Sequence, residues 1–195
     1  MLRQYTNLRS ARETADAVEQ ILAIGPDAPR VKYVTSVRLA PGHWEVARAV
    51  GQARKALKDL RGRQPGEARD SDVETDAALA ELITSLLLDS SEARLAPLVS
   101  HKPDPALDVT IRGVSFDVKA IRAGAKCTAI NADAHSKKTP RFYLFARPAG
   151  LDTLDFFVVG ARAVDDWPLR KAYRGVEMPP RRWYRATDLP DCLAA

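Results

Sequence analysis

The chain has two cysteines in 195 residues, Cys127 and Cys192. They are too few for a disulfide framework and lack the spacing of zinc ligands, so they read as free thiols of a reducing compartment. No apolar run approaches the roughly 18 residues of a spanning helix, so neither a transmembrane helix nor a membrane partner is expected. The opening stretch MLRQYTNLRSARET has no apolar core of the kind a secretory signal needs, and a cytoplasmic location is expected. Glycine-rich phosphate loops, HExxH and GxSxG are all missing, leaving NTPase, zincin and serine-hydrolase readings without support. There is no internal repeat. Hydrophobic residues at 46% are ample for one globular core, with room for an appendage.

What is present is charge, unevenly spread. Residues 1–63 carry twelve basic and six acidic side chains, residues 64–111 three and ten, and residues 112–147 eight and two. An acidic block flanked by basic ones suits a metal-gathering pocket rimmed by cations, as a phosphodiester substrate requires; solvated helix faces would give the same blocks. Residues 1–66 read as a mainly helical accessory region. A helix ends at Gly25, a strand or extended segment RVKYVTSVRL follows, and a basic helix opens at Pro41–Gly42. This region either packs on the remainder or contacts DNA or a partner copy. GRQPGEARD is a polar linker. In residues 72–89, Leu79, Leu82, Ile83, Leu86 and Leu87 recur at helical spacing, with acids crowding the first turn. Glu81 lies off that stripe, where a surface glutamate would also lie.

The sharpest pattern is DVTIRGVSFDVKAIR, residues 108–122. Apolar and polar residues alternate on both sides of Arg112–Gly113, the signature of a hairpin of half-buried strands. With those two residues as the turn, Ile111 faces Val114, Val109 faces Phe116, and Asp108 faces Asp117. A slip of one residue would mix the faces. Facing carboxylates with Cβ atoms roughly 4.5–5.5 Å apart repel, and a hard divalent cation would relieve them. Lys119 projects on the Asp117 side, where it can orient a water or steady a charged phosphate. An ordinary solvated hairpin face is the alternative, although the chain has only one [DE]-x-K triplet.

A helix with an internal glutamate, a strand with aspartate and a strand with D-x-K together resemble the PD-(D/E)XK nuclease superfamily. The resemblance covers about residues 70–175, with Leu107 where the motif has proline. It implies a restriction-endonuclease-like α/β core over residues 67–175, a central mixed sheet flanked by helices. INADAHSKKTPRFYLFARP resembles the crossover and next strand, and DTLDFFVVGARAVDDWPLRKA the last core strand and closing helix. The family's site implies Mg²⁺, with Mn²⁺ able to substitute, held by Asp108, Asp117, Glu81 and the Val118 carbonyl, with Lys119 catalytic. The expected activity is endonucleolytic hydrolysis of double-stranded DNA, by a chain for which a homodimer is one arrangement. An RNA nuclease and a non-catalytic DNA-binding scaffold of the same fold are the alternatives.

Further phosphate contacts are expected from Lys137, Lys138, Arg122 and Lys126. Arg181 and Arg182 belong to the basic, aromatic stretch PPRRWYR in a C-terminal tail of residues 176–195. His135 reads as a polar loop residue, and Trp44, Trp167 and Trp183 as packing anchors.

Overall fold

Arg112 and Gly113 both take left-handed backbone angles, φ 48° and 74°. Two consecutive positive φ values make a primed two-residue turn, whose twist matches that of the strands it joins. In the computed structural model, which describes residues 19–24, 30–62, 71–87, 108–138, 140–173 and 176–189, this turn links β2 (Val109–Ile111) to β3 (Val114–Ala120). The pairs are Val109 with Phe116, Thr110 with Ser115 and Ile111 with Val114, the register the alternation dictates.

The hairpin is one edge of a five-stranded mixed sheet. Its other strands are β1 (Lys32–Arg38), β5 (Phe142–Pro148) and β6 (Thr153–Gly160), and the order is β1-β6-β5-β3-β2. β3 and β5 are parallel, and the remaining pairs are antiparallel. A parallel pair needs a crossover. The chain supplies it with β4 (Cys127–Asn131) and a short helix, α3 (Ala132–Lys138), whose first amides are capped by the Asn131 side chain. β4 joins β7 (Leu169–Tyr173) and β8 (Val176–Arg185) in a second, antiparallel sheet ordered β4-β8-β7.

Alternation along the central strands sends side chains into two cores. Phe116, Val118, Phe142, Leu144, Phe156 and Val158 face the helices α1 (Pro41–Arg61) and α2 (Ser71–Leu87). Tyr143, Phe145, Phe157 and Val159 face the other way, onto Ile130, Val164 and Trp167 beneath the small sheet. The architecture is α/β, with a mixed five-stranded sheet covered by helices on one face and by the small antiparallel sheet on the other. No helix among the described residues is long and apolar enough to cross a membrane.

Three segments differ from the sequence reading. The strand or extended segment expected in the N-terminal region is β1, and it belongs to the main sheet, paired with β6. The expected closing helix after β6 is a 3-10 segment, Ala161–Asp166, followed by a strand. Pro168 disfavours helical backbone at Trp167, the residue before it, and so stops the turn there. The first ten residues of the C-terminal tail are β8, paired on both sides.

α1 begins with proline at its first position, whose missing N–H would be unsatisfied there anyway. It crosses α2 closely at Gly51, where an added Cβ would stand 2.6 Å from Thr75 Oγ1 and 2.7 Å from the Thr75 backbone nitrogen. Gly51→Ala should therefore destabilise, although alanine alone favours a helix by about 1 kcal/mol. Overpacking costs about 1–3 kcal/mol, and urea unfolding should show the midpoint falling rather than rising.

Candidate active site at the open end of the hairpin

β2 is only three residues long, so β3 loses its partner from Asp117 onward on that side. Asp108, just before β2, fills the gap: its Oδ2 accepts the Val118 N–H at 2.7 Å. This bond holds the Asp108 carboxyl beside that of Asp117, close enough for the two to share a hydrogen bond. Asp117 is 5% exposed. Lys119 Nζ lies 2.7 Å from Asp117 Oδ2 on the same face, with a third of its side chain exposed.

The electrostatics follow from this crowding. Burial and then the Asp117 charge push the Asp108 carboxyl up to about 8, with Lys119 only partly opposing them. Burial works against a charged Lys119, but Asp117 and Asp108 outweigh it and raise its pKa above the usual lysine value. Lys119 is thus a resident cation and a proton donor.

Glu81 arrives from the other side. α2 covers the face lined by Phe116 and Val118, whereas Asp117 and Lys119 alternate to the opposite face. The open strand end lets the Glu81 charge reach both Asp108 and Lys119. Its carboxylate is forked by Arg54 of α1, Nη1 to Oε1 at 3.1 Å and Nη2 to Oε2.

The donors fit a hard divalent cation in kind: oxygen atoms from Asp108, Asp117 and the Val118 carbonyl, which leaves β3 on the same unpaired edge as its amide. Among the described residues, no three His, Cys, Asp or Glu side chains stand together as a metal cluster. Glu81 is drawn toward Arg54 instead.

The expected phosphate contacts scatter. Arg122 is exposed just beyond β3, lies 3.6 Å from Asp76 and lines a hollow of about 470 Å³ with Arg48, Gln52 and Leu151. Lys126 and Lys137 are exposed; the Lys138 side chain lies outside the described residues. Arg182 serves the fold, donating to the Trp167 carbonyl at 3.1 Å, while Arg181 alternates to the other face of β8 beside Trp183.

Sequence reading missed two groups. Arg54 was one cation among many on a basic helix, and no local pattern marks it. His135 is not a loop residue but a buried member of α3: Nδ1 lies 2.8 Å from Tyr143 Oη and Nε2 3.2 Å from Asp165. Tyr143 stands beside Asp117 in the β3–β5 register. Burial, then the charges of Asp117, Asp165 and Asp108, raise its pKa and keep the phenol protonated. Trp167 is a packing anchor, 7% exposed, whereas Trp44 is half-buried at the rim of the 470 Å³ hollow.

The raised Asp108 value has a consequence for stability. The folded chain keeps this proton up to about pH 8, whereas an unfolded aspartate releases it near its ordinary value of 3.8. The group's contribution is therefore full below pH 4 and is lost as pH climbs through 8. In EDTA, the urea midpoint should fall between pH 5 and pH 9, and Asp108→Asn should flatten that fall. Comparisons with family models, with curated proteins and with solved structures find no match to this chain, so its chemistry rests on the placement of these side chains.

Proposed function

We propose that the chain is a metal-dependent nuclease of restriction-endonuclease-like fold, hydrolysing phosphodiester bonds in double-stranded DNA. The observation that carries the reading is the pair of facing aspartates at an unpaired strand end, with Lys119 on the same face as Asp117. The mixed sheet with a parallel β3–β5 crossover supports it.

Asp108, Asp117 and the Val118 carbonyl would hold Mg²⁺ or Mn²⁺, with Glu81 reaching it directly or through water. The bound cation would supply Lewis-acid polarisation of the phosphate and a more acidic water. The protein's own part is positioning. The Val118 amide fixes Asp108, and Asp108 fixes the space in front of Asp117. Lys119, kept protonated by its carboxylate neighbours, offers hydrogen bonds to a non-bridging phosphate oxygen, where negative charge grows as water adds. The water oxygen bonds to phosphorus, one P–O ester bond breaks, and the proton lost by the water is balanced by one gained at the leaving alkoxide. The products are a phosphomonoester end and a free hydroxyl.

Ion pairing at the site favours one other reading. Lys119 already meets Asp117 and Arg54 already meets Glu81, as in a structural network of a DNA-binding scaffold. A divalent-dependent cleavage assay on DNA and RNA separates the three possibilities. Asp117→Asn keeps the shape and removes the charge. Cleavage should fall about a hundredfold or more, the several kcal/mol that charge stabilisation by a cation supplies. Mg²⁺ at 100 times its Kd should stabilise the parent by about 2.7 kcal/mol and the variant much less. If Asp117→Asn weakens the fold in EDTA, and Mg²⁺ shifts neither melt, the aspartates are structural.

A further inference from the structure

We infer that Arg54 is a displaceable counter-ion that competes with the divalent cation for Glu81 and, once released, binds the substrate phosphate. This inference rests on the nuclease reading and extends it to a residue of the N-terminal helix.

The Arg54 and Glu81 side chains are only 15% and 19% exposed. Such a sheltered ion pair is held by geometry, here a two-pronged fork. Burial disfavours the guanidinium charge, but Glu81 outweighs it, and Glu74 and Asp108 add to the same field. Lys58, one turn further along α1, holds Glu74 at 2.6 Å. Glu74 thus has its own cation, and Arg54 is left to answer the charge of Glu81.

Arg54 grips both oxygens of Glu81, the carboxylate whose charge reaches Asp108 and Lys119, so its own charge opposes a cation that would take Glu81. It also holds the one carboxylate that would complete the donor set. A phosphate reverses this balance, since guanidinium forks match phosphate as well as carboxylate. A phosphodiester that draws Arg54 from Glu81 frees Glu81 for the metal, and a metal that takes Glu81 frees Arg54 for the phosphate. Binding of the two is then mutually favourable, as linkage demands.

The test measures Mn²⁺ affinity of the full chain by titration without DNA, alongside cleavage at saturating Mn²⁺. Arg54→Gln removes the competing charge. It should bind Mn²⁺ about tenfold more tightly, within the usual range of coupling between sites, while cleaving more slowly. Arg54→Lys keeps the charge and the packing of the stem but loses the fork. It should show a smaller rise in Mn²⁺ affinity and a cleavage rate between the other two, and it serves if the glutamine variant does not fold. Unchanged or weaker Mn²⁺ binding in the folded variants overturns the inference and makes Arg54 a strut. A parent that binds no Mn²⁺ overturns the nuclease reading and this inference with it, so the two failures are distinguishable.

Discussion

The hydrogen bond from the Val118 amide to Asp108 decides where the hairpin stops being a hairpin. A ladder bond at that point would continue β2 and bury the strand edge. A side-chain acceptor instead ends the pairing and leaves the Val118 carbonyl on an open edge. It also turns Asp108 inward against Asp117. The raised pKa of Asp108, the charged state of Lys119 and the reach of Glu81 around the strand end all follow from that one substitution of side chain for backbone.

Around this point the two cores have separate duties. The helical side supplies rigidity and, through Arg54, the cation that holds Glu81. The small-sheet side supplies a polar chain that runs from exposed Asp165 through buried His135 and Tyr143 and ends beside Asp117. Its hydrogen bonds hold α3 and β5 in fixed relation, and so fix the floor on which Asp117 and Lys119 stand. The cationic surface is less concentrated: Arg122, Lys126 and Lys137 lie on different segments, and Arg182 is turned inward.

Period-two alternation and an Arg–Gly turn made the hairpin legible down to its register, because a slip would have exchanged core and solvent faces. α1 and α2 were legible from helical spacing and from proline and acids at their starts. Less visible was everything set by long-range pairing. Nothing in RVKYVTSVRL states that it will pair with β6, because strand partners are chosen by topology rather than by local sequence. Arg54 was invisible for the same reason: its partner is 27 residues away on another helix. His135 looked like a loop residue because its partners, Tyr143 and Asp165, come later in the chain. The 3-10 segment after β6 escaped because a six-residue turn carries no periodicity of its own.

The pairing of β1 with β6 also sets an order of events. Ser36 donates to Asp155 at 2.5 Å across a sequence separation of 119 residues. On a ribosome, β1 must remain without its sheet until β6 has been made, whereas α1 and α2 can meet early. Closing so large a loop raises the contact order and slows the search. An apolar strand waiting in this way is exposed to wrong partners. Lys32 and Arg38 at its two ends put positive charges where another strand would have to add. The first strand of the sheet is thus the last to be secured, and its end charges protect it while it waits.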